Sequence, residues 1–183
     1  MISEHPKNGS IEKITDIYAT SIDYSKDATI SMEFFATVQN KLHFAITGLT
    51  AAEIITSRAD SMKENMGLTT WSGTKVRKKD VTVAKNYLME KEIKSLNRIV
   101  TMYLDYAELQ AERQKPMYMS DWIEKLTAFL QFNEHDILDD AGKVRKTVAD
   151  QLAIEEYEKF HQQRLVKNSK DDFEEFIEKN GFK

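Results

Sequence analysis

The chain of 183 residues contains no cysteine. Disulfides, thiolate metal sites and a cysteine nucleophile are therefore excluded, and a reducing, cytoplasmic setting is the natural expectation. Proline and glycine are scarce, two and six residues, so few points interrupt a helix. No apolar run approaches the roughly 20 residues that span a bilayer, so no membrane partner is expected. The opening MISEHPKNGS lacks the apolar centre of a signal peptide. The phosphate-cradling patterns GxxxxGK[ST] and GxGxxG are absent, as are GxSxG and HExxH. No cofactor and no metal site is expected. His5, His43, His135 and His161 share no ligand spacing on one helix. The run EHDILDD, with His135 and Asp139 four apart, reads as a solvated helix end in preference to a metal site.

What remains is ordinary for a folded protein: 41% hydrophobic and 31% charged residues, with a net charge of −4. Apolar residues recur every three or four positions, which defines an all-α fold. The strongest signal is Glu90 to Arg113, where Ile93, Leu96, Val100, Tyr103 and Ala107 share one face. Ile99, Met102, Leu104 and Tyr106 broaden that face beyond a coiled-coil seam. A multi-helix bundle around this long central helix is expected.

Other elements follow in order. Residues 1–26 read as a flexible leader and a short helical arm, capped by Ser10 and carrying Ile11, Ile14, Ile17 and Tyr18. Residues 27–168 form the helical domain. Its first helix, 28–47, turns Phe34, Phe35, Val38 and Leu42 inward and stops at Gly48. A second helix follows from Thr50 to about Asp60. Residues 61–79 make a long irregular loop, of the kind that is usually functional or mobile. Trp71 reads as the anchor of this loop, with a stacking platform for a base as the sharper alternative.

Asp80 to Ala84 alternates like a short strand, yet no good partner strand exists, so a helix capped by Asp80 and continuing through Leu88 is favoured. Ser120 is expected to cap a helix carrying Trp122, Ile123, Leu126, Phe129 and Leu130, with another turn at Ile137 and Leu138. A long helix from Lys143 to about Lys167 uses Val144, Val148, Leu152, Tyr157 and Phe160. Residues 169–183 form a separate short amphipathic tail helix with Phe173, Phe176 and Ile177 on one side.

Two polar groups stand out. Lys75 to Arg98 carries eight basic residues against three acidic ones. Within and beside it, Lys75, Arg77, Lys78, Lys79 and Lys85 are candidates for contacts to nucleic-acid phosphates; a solvated loop is the plainer reading. His43, Glu53, Arg58 and Asp60, with Trp71, form a candidate polar pocket beside the loop; an ion pair that pins the loop is the plainer reading.

Six blocks carry a family resemblance: DIYATSIDY (16–24), FFATVQNKLHFAITGLTAAEII (34–55), RADSMKENMGLTTW (58–71), DVTVAKNYL (80–88), LNRIVTMYLDYAELQAER (96–113) and DWIEKLTAFLQFNEHDIL (121–138). In this order they resemble the RhuM family of bacterial virulence-associated proteins, over about residues 11–160. The resemblance is to the C-terminal region of longer members, whose preceding region is described as DNA-binding. It brings no catalytic residues with it. The leading expectation is a helical interaction module of a virulence-associated or mobile-element protein, binding a protein partner or itself. The rivals are a nucleic-acid-associated regulator using the basic segment, and an undescribed enzyme or toxin using the polar pocket. The lack of any reaction motif weighs against an enzyme.

Overall fold

A computed structural model of the chain describes residues 18–25 and 29–181. Among these are five α-helices: α1 (Thr29–Thr47), α2 (Ala51–Arg58), α3 (Glu90–Glu112), α4 (Met119–Phe132) and α5 (Lys146–Asn180). Three single 3-10 turns, Glu64–Gly67, Lys78–Asp80 and Ala84–Tyr87, lie between α2 and α3, and no strand occurs among the described residues. The all-α fold with a long irregular loop is as the sequence led one to expect. The leader and most of the N-terminal arm lie outside the described residues.

The chain divides into two compact units. One comprises residues 1–51 and 89–143, the other residues 52–88 and 144–183.

In the first unit α1 packs on α3 and α4. The 3.6-residue period decides which side chains enter. Phe34, Val38 and Leu42 come from α1, Leu96, Ile99, Val100, Tyr103 and Ala107 from α3, and Trp122, Leu126 and Leu130 from α4, all buried. An aromatic cluster joins them. Tyr18 meets Phe34 edge-on at 4.4 Å, and Trp122 lies 6.2 Å from Tyr103. The buried Tyr103 hydroxyl donates to the Trp122 carbonyl (2.9 Å). Burial pushes both the Tyr18 and Tyr103 phenols well above their ordinary value, so they stay neutral donors. The α1–α2 turn is tied by Asn40, whose Oδ1 accepts from the Ala51 N–H (3.0 Å). Gly142 (φ +83°) lies against this turn, and a Cβ there would meet Thr50 Cγ2 at 2.5 Å.

Two expectations for this unit are corrected. The α4 cap is not Ser120. The helix begins at Met119, and Asp121 accepts from the Tyr118 N–H (2.9 Å), which places Ser120 inside the first turn. Residues 137–141 form no helical turn. The Lys41 ammonium takes the Leu138 carbonyl (2.9 Å), and His135 Nδ1 lies 3.1 Å from the Ala45 carbonyl oxygen, fixing an extended path.

In the second unit, α5 presents its small residues Ala149 and Ala153, both fully buried, and packs on the Glu64–Gly67 turn. Val148, expected on the inner face, is 54% exposed. The inner stripe is rotated by one residue because small side chains allow the loop backbone to approach. The core is completed by Ile54, Ile55, Met66, Leu68, Val76, Val81, Ala84, Tyr87 and Leu88.

Two further expectations change here. Residues 80–88 are two 3-10 turns with a break between them, not one α-helix. In a helix, the carbonyls of residues 80 and 81 would accept backbone N–H groups four residues on. Instead the Asn86 amide takes the Asp80 carbonyl (2.9 Å) and the Tyr87 hydroxyl takes that of Val81 (2.6 Å). Second, α5 runs unbroken to Asn180, so the amphipathic tail is its continuation and not a separate helix. No Gly or Pro lies between Lys143 and Asn180, and Asn168 and Ser169 cost a helix only a few tenths of a kcal/mol each, about the spread among ordinary residues. The helix ends at Gly181 (φ 64°), in the left-handed conformation that suits glycine.

Candidate functional site

The second unit holds most of the residues that the sequence singles out. Its loop, residues 59–88, has little regular structure but many defined hydrogen bonds. At its centre is the Asp80 carboxylate, which is buried. One oxygen accepts from the Ser72 N–H (3.1 Å) and the Ser72 hydroxyl (2.7 Å); the other accepts from the Arg77 N–H (2.8 Å). Burial acts to raise the Asp80 pKa. The bonds from Ser72 and Arg77 and the charge of Lys79 outweigh it, so Asp80 titrates below its ordinary value. The carboxylate ties residues 72–80 into a closed loop around a fixed anion.

The rest of the loop is tied just as closely. Thr69 and Thr70 both donate backbone N–H groups to the Asn86 carbonyl, at 2.7 and 3.2 Å. The Thr69 hydroxyl lies 2.5 Å from the Leu88 carbonyl oxygen, to which it donates. Asn65, Met66 and Gly67 have φ of 51°, 59° and 85°, three left-handed residues in succession. Such residues cost roughly 1–2 kcal/mol each when they carry a Cβ. Full burial of the Met66 side chain offsets part of this cost. Gly67 is obligatory, because a Cβ would lie 2.2 Å from the Arg58 carbonyl oxygen.

Helix α5 provides the loop's other anchors. Glu156 accepts from the Ser61 N–H (2.9 Å). Hydrogen bonds from Ser61 hold the Glu156 carboxyl below its ordinary value. Arg164 donates to the Val76 carbonyl (3.0 Å), reaches His161 Nδ1 (3.0 Å) and lies over the Phe160 ring (5.1 Å). Lys146 donates to the Thr82 carbonyl (2.7 Å) and pairs with Asp150.

On this frame Lys75, Arg77, Lys78 and Lys79 are all exposed, while Lys85 is half-buried. The polar-pocket residues fall differently. Glu53, Arg58, Asp60 and Trp71 belong to the second unit and are half-buried; His43 belongs to the first and is buried. Arg58 donates to the Tyr87 carbonyl (2.9 Å), and Asp60 accepts from the Met62 N–H (2.9 Å). Both contacts are to backbone and serve to hold the loop. No group of three or more His, Cys, Asp or Glu side chains suited to a metal ion occurs among the described residues.

Sequence reasoning missed Asp80 as the centre of the loop, reading it as a helix cap. It also missed Glu156 and Arg164 as anchors. The Asn-Met-Gly run was a usable signal for the left-handed turn, since Asn and Gly are the residues that tolerate positive φ.

A second surface lies at the end of α5. From Leu165 to Asn180 every residue except Ile177 is exposed. Leu165, Val166 and Phe173 are 46%, 67% and 62% exposed. Val166, Phe173 and Ile177 fall on one helical face at spacings of seven and four.

These features define an all-helical protein with a closed, cation-bearing loop and a long amphipathic C-terminal helix. Residues 8–168 match the Virulence protein RhuM family, and the chain belongs to that family. The matched residues include both units' helices α1 to α4 and α5 as far as residue 168. No curated protein and no solved structure matches the chain.

Proposed function

We propose that this RhuM-family chain is a helical interaction module that pairs with a second copy of itself through the end of α5. The reading extends to a bacterial cytoplasmic setting, which the absence of cysteine supports. The observation that carries it is the apolar face of Val166, Phe173 and Ile177, on which Val166 and Phe173 are exposed. From residue 165 to Asn180 the helix extends about 24 Å, at about 1.5 Å per residue. Isolated helices of this length are marginal in water. A partner that covers the face supplies the missing stability.

Charge favours a second copy, arranged antiparallel. Arg164, Lys167 and Lys170 precede the acidic stretch of Asp171, Asp172, Glu174, Glu175 and Glu178. Antiparallel pairing sets the basic end of one helix against the acidic end of the other. Parallel pairing sets like against like. Pairing Val166 with Ile177 of a second copy places the crossing near residue 171.

Because the chain lacks cysteine, one introduced thiol reports this geometry without interference. Lys170→Cys lies beside the crossing and is expected to form a disulfide-linked dimer under mild oxidation. Lys179→Cys lies far from its counterpart and is expected to remain unlinked. Equal linkage of both variants indicates a parallel pair, and linkage of neither contradicts the proposal.

A further inference from the structure

We infer that the Lys75–Lys79 loop is a preformed contact site for the phosphodiester backbone of nucleic acid. This is separate from pairing through α5 and rests on different residues. A short basic run is by itself usually a solvated face. Three features set this one apart.

The first is that none of its four cations is tied up in a direct ion pair. Pairs such as Lys94–Glu90, Lys146–Asp150, Lys159–Glu156 and Lys179–Glu175 occur among the described residues, and none involves Lys75, Arg77, Lys78 or Lys79. The buried Asp80 feels the charge of Lys79, but its oxygens are hydrogen-bonded to Ser72 and the Arg77 N–H inside the loop, and one carboxylate offsets only one of the four cations.

The second is that the backbone carrying these cations is fixed on both sides. Val76, between Lys75 and Arg77, is buried, and its carbonyl is held by Arg164 (3.0 Å). Asp80, directly after Lys79, is buried and closes the loop onto Ser72. A flexible basic run loses backbone freedom when it binds. This loop has given up that freedom on folding, so less of the interaction energy is lost on association.

The third is the form of the display. Lys75, Arg77, Lys78 and Lys79 are all exposed and lie within five consecutive residues. Four exposed cations along one short segment suit a polymer that offers several phosphates in a row. Arg and Lys contacts of this kind position a protein on the backbone without reading bases. The net charge of −4 does not oppose this at physiological salt, where charges more than about 8 Å away are largely screened.

The test is fluorescence anisotropy of the full chain with a labelled 20-base-pair duplex, titrated at several salt concentrations between 50 and 200 mM. Three or four phosphate contacts predict a log–log salt slope of about −3. Lys78→Glu/Lys79→Glu is expected to weaken binding at least tenfold and to make the slope shallower by about 2. Lys75→Ala/Arg77→Ala is a second variant that leaves the Lys78–Asp80 turn intact, and it should weaken binding in the same sense. Lys115→Glu/Lys125→Glu changes the net charge as much as the first variant but lies in the first unit, and it should alter binding less than threefold. No binding at 50 mM salt overturns the inference. So does equal weakening by the first-unit pair, or binding to vesicles of anionic lipid without binding to the duplex.

Discussion

At the scale of single residues, Asp80 is the most consequential polar group. Removing its carboxylate leaves the Ser72 and Arg77 N–H groups and the Ser72 hydroxyl without their acceptor. Asp80→Ala should therefore destabilise the second unit by about 3 kcal/mol, the cost of several buried, charge-assisted bonds lost together. The tryptophans allow this to be measured separately, because Trp71 lies in the second unit and Trp122 in the first. Urea unfolding in a Trp122→Phe background, followed by Trp71 fluorescence, should show the loss.

The same group sets an acid limit. The Asp80 and Glu156 pKa values are both lowered in the folded chain. A lowered carboxylate pKa means that the unfolded chain binds the proton more readily. Its contribution is thus complete above the ordinary carboxylate range, near about pH 4, and is lost as pH falls through the lowered value. Trp71 fluorescence should report unfolding in that window. Asp80→Ala should flatten the dependence of stability on pH below about 4, the ordinary carboxylate range. An unchanged slope would remove Asp80 from this role. Gly67 is the second sensitive residue. Gly67→Ala forces a methyl group into the Arg58 carbonyl and a non-glycine residue to φ +85°, and should cost about 2–3 kcal/mol by thermal or urea unfolding.

At the scale of elements, the sequence was most readable where burial is periodic. Leu96, Val100, Tyr103 and Ala107 fall on one face of α3 in the structure as in the heptad-like spacing, and Phe34, Val38 and Leu42 do so on α1. The loop was legible only as a break in that pattern. Its order comes from bonds that join Ser72 to Asp80, Thr69 to Asn86 and Arg58 to Tyr87, and these leave no period to detect. Likewise, the inner face of α5 was misplaced because Ala149 and Ala153 carry little hydrophobic signal, although close packing of the loop favours small residues there. The basic candidates Lys75, Arg77, Lys78 and Lys79 could be picked out by charge alone. Whether they were held or free could not, because that depends on Asp80 and Arg164.

At the scale of the whole molecule, membership of the RhuM family gives the chain a lineage without giving it a reaction. The family match ends at residue 168, between Val166 and Phe173 of the α5 face. Self-association through this face predicts sensitivity to charge placed on it. Sedimentation equilibrium of the wild-type chain and of Val166→Glu/Phe173→Glu at concentrations up to about 200 µM, within the weak range expected for a small helical interface, is the most direct measurement. The account predicts a mass approaching twice the 21.2 kDa of the chain for the wild type and a monomer for the variant. A wild-type chain that stays at 21.2 kDa throughout, or a variant that pairs as tightly as the wild type, would contradict it.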